Sequence, residues 1–170
     1  MVVRVGILTV SDRSFRGERV DASGPALESV ISEQGWNIVL NSIVPDEVEI
    51  IRRTLIDWAD GGGIDLILTT GGTGFGPRDV TPEATRLVVE RLAPGITEAI
   101  RAQSLPITPH AMLSRAVAGI RNRSLIINLP GSPKGAVESL NVVLPVIPHA
   151  VELMGGEPGS ETHHNLKTQR

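Results

Sequence analysis

An apolar-rich run, Ile64–Leu68, leads through Thr69–Thr70 into four glycines within the six residues Gly71–Gly76. Arg78–Asp79 follow, and Thr81–Pro82–Glu83 has the form of a helix start, with a hydroxyl cap, proline at the first position and an acid in the first turn. Such a segment commits the chain to a strand, a bare-backbone loop and a new helix. Glycine lets a ligand approach the backbone closely, and a helix N-terminus presents unpaired N–H groups and the positive end of a dipole. The unit therefore suits an α/β fold with a phosphate-bearing ligand at the strand end.

The remainder alternates in the same way. Val2–Val10 and Trp36–Val44 read as strands, the first nearly continuous in apolar residues as expected when both faces are buried. Ser23–Gly35 reads as a helix with Ser23 as N-cap and Gly35 as its stop. A second helix runs from Pro45–Asp46–Glu47 to Asp60 and places Ile50, Ile51, Leu55 and Trp58 on one face. Ile96–Ser104 is helical, Ala116–Ile120 and Leu125–Leu129 are short strands, and Lys134–Met154 is a helical stretch bent at Pro145 and Pro148. Strands alternating with helices predict a three-layer α/β/α sandwich around a mostly parallel sheet. Residues 1–156 read as one domain and residues 157–170 as a disordered polar tail.

Bulk properties narrow the function. Of 170 residues, 41% are hydrophobic and 21% charged, the balance of a folded soluble protein. The net charge of −3 and the scarcity of aromatics argue against a nucleic-acid partner. No cysteine is present, which removes disulfides, thiolate metal sites and a cysteine nucleophile. No apolar run reads as membrane-spanning, and the N-terminus reads as a strand rather than a signal peptide, so a cytoplasmic location is expected.

In open α/β sheets ligands bind at the carboxyl ends of strands near a switch in strand order. Four segments leave strands there: Ser11–Asp12–Arg13, Pro45–Asp46–Glu47, Gly71–Asp79 and Pro130–Lys134. Within the glycine loop Gly71, Gly72, Thr73 and Gly74 offer backbone groups and Arg78 a cation. The loop is not a Walker A motif, because Pro77–Arg78 stands where Lys-Ser/Thr would be needed, and it follows the third strand rather than the first. Asp46 and Asp79 suit a Mg²⁺ ion beside phosphates, which takes one or two carboxylates; Asp46 reads equally as an ordinary residue at a helix start. Gly131, Ser132 and Lys134 offer amides, a hydroxyl and a cation, although Ser132 also reads as a helix cap. Ser114–Arg115 follow a loop and reach the same crevice or, as ordinary polar residues, the surface. No Ser-His-Asp constellation stands out, and no histidine is assigned to a metal.

Taken together and in order, SDR at Ser11–Arg13, VPDE at Val44–Glu47, TTGGTGFGPRDVTPEAT at Thr69–Thr85, LSR at Leu113–Arg115 and NLPGSPKG at Asn128–Gly135 resemble the molybdopterin adenylyltransferases. That family takes in MogA and the G domain of gephyrin, with MoaB a close relative. The resemblance spans about Val5 to Met154 and implies a three-layer sandwich, usually trimeric. It also implies adenylylation of molybdopterin by Mg-ATP with release of pyrophosphate, in molybdenum cofactor biosynthesis. Asp46 and Asp79 would be the catalytic and Mg²⁺-binding pair. Ser11, Asp12, Gly71, Gly72, Thr73, Gly74, Arg78, Glu83, Ser114, Pro130, Gly131, Ser132 and Lys134 would bind nucleotide and pterin. Metal insertion would belong to a partner protein. The alternatives are a molybdopterin-binding protein without turnover, of the MoaB kind, and a nucleotide pyrophosphatase-like relative. The segment Ser14–Ala22 matches the family only loosely.

Overall fold

A computed structural model describes residues 2–156; the expectation for the tail falls outside the described residues. The elements are β1 (Arg4–Val10), α1 (Asp12–Phe15), α2 (Ser23–Glu33), β2 (Asn37–Val44), α3 (Val48–Asp60), β3 (Leu66–Thr70), α4 (Thr81–Arg86), β4 (Arg91–Leu92), α5 (Pro94–Ser104), β5 (Ala118–Arg121), β6 (Ser124–Leu129), α6 (Pro133–Val143) and α7 (Ile147–Gly155). Short 3₁₀ turns cover Pro109–Leu113 and Leu144–Val146.

The six strands lie in the order β2-β1-β3-β6-β5-β4. The first four are parallel, while β5 runs antiparallel to β6 and β4 antiparallel to β5. Side chains alternate across the sheet, as the period of two requires. Val5, Ile7, Leu66, Leu68, Leu125 and Ile127 meet α2, α5, α6 and α7 on one face. Leu8, Val10, Ile67 and Ile126 meet α3 and α4 on the other. The expected three-layer arrangement is therefore present, with the antiparallel β5–β4 edge as its departure from a parallel sheet. Asn128 is a buried polar member of β6, and its amide donates to the hydroxyls of Thr69 and Thr85, both at 2.9 Å. Its Oδ1 accepts from the Val117 N–H, so the sheet centre carries no unpaired polar group there.

Several local expectations change. Ser11–Ala22 includes a turn of helix: Ser11 caps the single turn α1 by accepting from the Ser14 N–H. Ser23 is not the N-cap of α2 but its first residue; Asp21 performs the capping, its Oδ1 accepting from the N–H groups of Ser23 and Gly24. A carboxylate reaching back from two residues earlier satisfies the same orphan amides that a capping serine would. Thr81 likewise lies inside α4, and its hydroxyl donates to the Gly71 carbonyl instead of capping. On α3 the buried set is Ile51, Leu55 and Ala59, whereas Ile50 is 38% exposed. The helical run Pro133–Gly155, with mean hydropathy 1.3 over its best window, is long and apolar enough to cross a membrane, contrary to expectation. It breaks at the Leu144–Val146 turn, and Ala136, Leu140, Val143, Ile147 and Val151 are buried against the sheet, while 28% of its most apolar window is buried in all.

Candidate functional site

The chain leaves β1 toward β2 on one side and returns through β3 on the other, so the switch in strand order falls between β1 and β3. At the carboxyl ends of these strands and β6 lies a polar cavity of about 340 Å³. Ser11, Asp46, Gly71, Gly72, Asp79, Gly131 and Ser132 all line it, so the four segments meet as expected. Two hydrogen bonds hold its floor: the Gly71 N–H donates to the Leu129 carbonyl at 3.2 Å, and the Thr70 hydroxyl donates to the Pro130 carbonyl at 2.7 Å.

Asp12 and Asp46 exchange backbone hydrogen bonds. The Asp12 N–H donates to Asp46 Oδ2 at 2.7 Å, and the Asp46 N–H donates to Asp12 Oδ1 at 3.1 Å. The pair fastens the loop after β1 to the loop after β2. Arg78 closes a fork on Asp12, with Nε and Nη2 each 2.9 Å from a carboxylate oxygen. Those hydrogen bonds hold the Asp12 carboxyl below its ordinary range. Asp46 moves the other way: burial raises it, and the charges of Asp12 and Asp79 add to the effect. A half-buried carboxylate beside two others gains from a cation.

The glycine loop is shaped around these acids. Gly71 and Gly72 adopt φ of 105° and 64°, values that favour glycine. A Cβ on Gly72 would overlap the Thr81 hydroxyl and lie 3.1 Å from Asp46 Oδ1. Asp79 folds back on its own loop, its Oδ2 accepting from the Gly76 N–H at 2.7 Å.

The other expected residues separate. Thr73, Gly74, Ser114 and Pro130 line a second, apolar-walled cavity of about 400 Å³, which also meets Ser132. Phe75, Ile107, Leu113 and His110 contribute to its wall. Arg78 and Asp12 form the clasp described above and line neither cavity. Glu83 pairs with Arg115. Lys134 lines neither cavity; it is 82% exposed and 3.8 Å from Glu138, which lines the second. Ser132 caps α6, accepting from the Gly135 N–H at 3.2 Å, while also facing both cavities.

Sequence reasoning missed Thr9, Ser14, Arg19, Asp21 and Ser23 on the polar cavity's wall. The length and charge of Ser11–Ala22 were the available signal; which side chains turn inward depends on α1 and the Asp21 cap. Arg115, expected with Ser114 in the crevice or at the surface, lies off the polar cavity and pairs with Glu83. Among the described residues no group of three or more His, Asp or Glu could hold a metal. A cation there would take Asp46 and Asp79, with its remaining ligands from substrate and water, which is the habit of Mg²⁺. The donor set and the raised Asp46 fit such an ion.

Comparison with known proteins agrees with this geometry. The family described as "Probable molybdopterin binding domain" matches residues 6–149. The chain is 44% identical over 170 residues to a molybdopterin adenylyltransferase of Helicobacter pylori J99, covering 99% of this chain and 97% of that protein. It is 48% identical over 174 residues to gephyrin of Dictyostelium discoideum, where the match covers 95% of this chain but only 24% of the relative. The crystal structure of the molybdopterin biosynthesis enzyme MoaB from Thermus thermophilus superposes with a TM-score of 0.87 at 55% identity, over 92% of this chain and 99% of that one. With the sheet order, the glycine loop and these matches in agreement, the chain belongs to the molybdopterin-binding domain family.

Proposed function

We propose that this protein is a molybdopterin adenylyltransferase acting in molybdenum cofactor biosynthesis. Two relatives, matched over 97% and 86% of their own length, carry that name. The observation that carries the reading is Asp46, half-buried and facing the same cavity as Asp79 at the strand-order switch. In the reaction an oxygen of molybdopterin's terminal phosphate attacks the α-phosphorus of ATP. The α–β bridging P–O bond breaks and pyrophosphate leaves with its electrons. The attacking oxygen is already anionic, so no side chain need remove a proton. Positioning and charge neutralisation are then the protein's work.

Asp46 and Asp79 would hold Mg²⁺, which supplies charge neutralisation as negative charge gathers on the leaving pyrophosphate. The backbone of Gly71 and Gly72 and the hydroxyls of Ser11 and Ser132 line the space for phosphates. The Asp12–Asp46 exchange fixes the Asp46 carboxylate before substrate arrives, so its orientation costs little at the moment of reaction. The neighbouring apolar-walled cavity suits a ring system of one of the two substrates, with Thr73, Gly74, Ser114 and Pro130 around it. Arg78, released from Asp12, would reach a phosphate as a bidentate donor. The protein would act as a homotrimer in the cytoplasm, and its product would pass to an insertase.

The test is pyrophosphate release from Mg-ATP with and without molybdopterin. Asp79→Asn keeps an oxygen for the Gly76 N–H but loses the charge. It is expected to abolish release while molybdopterin still binds; turnover equal to wild type rejects the role. Binding without release marks a non-catalytic binding protein, and nucleotide hydrolysis without molybdopterin a pyrophosphatase.

A further inference from the structure

Arg115 lies between the Pro109–Leu113 turn and β5, off the wall of the polar cavity. Its N–H donates to the Thr73 carbonyl at 2.9 Å. Its guanidinium spreads over three further partners: Nε donates to the Gly74 carbonyl at 2.7 Å, Nη2 to the Asp79 carbonyl, and Nη1 pairs with Glu83 at the start of α4. One residue thus grips the glycine loop on both shoulders and ties it to the helix that follows. Between the shoulders, the bonds joining Gly76 and Asp79 are internal to the turn, and Phe75 is 67% exposed. Thr81 closes the base of the loop on Gly71 and Gly72, and Arg78 clasps Asp12, but the tie from outside the loop to Asp79 itself is Arg115.

We propose that Arg115 is a positioning residue that orients the Asp79 carboxylate toward the phosphate and metal space of the polar cavity. The inference rests on the adenylyl-transfer reading. Arginine suits the task because its planar fork reaches several acceptors in fixed directions. A lysine ammonium cannot hold Gly74, Asp79 and Glu83 in those directions at once.

Two readouts separate this role from mere support of the fold. In Arg115→Lys, the Mg²⁺ concentration for half-maximal pyrophosphate release rises about tenfold or more, the worth of one lost charge-assisted hydrogen bond. In the ligand-free protein, amide exchange at Thr73–Asp79 quickens while β3 and β6 keep their protection, a local opening. Glu83→Gln, which keeps an oxygen acceptor but drops the charge, moves both readouts the same way by a smaller factor and serves if Arg115→Lys folds poorly. Unchanged exchange at the loop, or an unchanged Mg²⁺ requirement in an active protein, overturns the proposal. If wild type releases no pyrophosphate, the functional reading fails while the exchange experiment still decides what Arg115 holds.

Discussion

Replacing Gly72 by alanine tests the geometry on which the polar cavity depends. The residue sits at φ 64°, a left-handed conformation that costs an L residue about 1–2 kcal/mol. The new Cβ would also overlap the Thr81 hydroxyl, which is fully buried and donates to the Gly71 carbonyl at 2.9 Å. Pushing that hydroxyl aside loses the bond and strands a buried polar group, for about 1–3 kcal/mol more. The total of about 2–5 kcal/mol corresponds to a fall in Tm of about 5–15 °C for a protein of this size. Because the same Cβ lies 3.1 Å from Asp46 Oδ1, surviving protein should also lose turnover at temperatures where it is folded. Thermal unfolding followed by circular dichroism in EDTA gives the first quantity, and pyrophosphate release the second. Gly95→Ala is the control: at the start of α5, a Cβ there meets nothing within 4 Å, and its effect should stay within about 0.5 kcal/mol. A Gly72→Ala protein that melts within about 2 °C of wild type with full turnover would refute the reasoning.

Two further substitutions probe the acids by their charge. Burial raises Asp46, so between its unfolded and folded values the folded state binds more protons and stability falls as pH rises. The penalty is complete above both values and absent below the unfolded one, near 3.9. Asp46→Asn should therefore stabilise the ligand-free protein at pH 7 and lose that advantage by about pH 3, while abolishing turnover. Equal melting temperatures at neutral pH contradict this. Arg78 holds Asp12 below its ordinary range, a contribution to stability present above the unfolded value and lost as pH falls through the folded one. Arg78→Ala should move the Asp12 carboxyl midpoint up in an NMR titration with little change in Tm, since Arg78 is exposed; an unmoved midpoint refutes the clasp.

Much of this architecture was legible because strands and helices here carry strong periodic signals. Leu66–Thr70 and Ser124–Leu129 are buried at every position, and such apolar runs announce a central strand. The edge was not: β4 is two exposed residues, Arg91 and Leu92, without a pattern to read, and only its pairing with β5 makes it a strand. Helix starts were misplaced by a residue where a neighbouring side chain did the capping, as Asp21 does for α2. At the site, the convergence of four loops followed from topology alone. Its division into two cavities did not, because Thr73 and Gly74 turn away from Gly71 and Gly72 through dihedral angles that no spacing reveals. Lys134 looked like a phosphate ligand from its motif, but from the first turn of α6 it reaches Glu138, on the wall of the second cavity, and does not line the polar one. Arg115 had the opposite history: a charge in a short motif that proves to hold Asp79, Gly74 and Glu83 together.

The central claim, that Asp46 and Asp79 serve a transfer reaction between two bound substrates, is tested most directly by stoichiometry. Purified protein is given Mg-ATP and a limiting, measured quantity of molybdopterin, and pyrophosphate and adenylylated product are counted together. The account predicts one pyrophosphate for each molybdopterin consumed, and no pyrophosphate without it. Nucleotide cleavage independent of molybdopterin, or none at all from folded protein that binds both substrates, would contradict it.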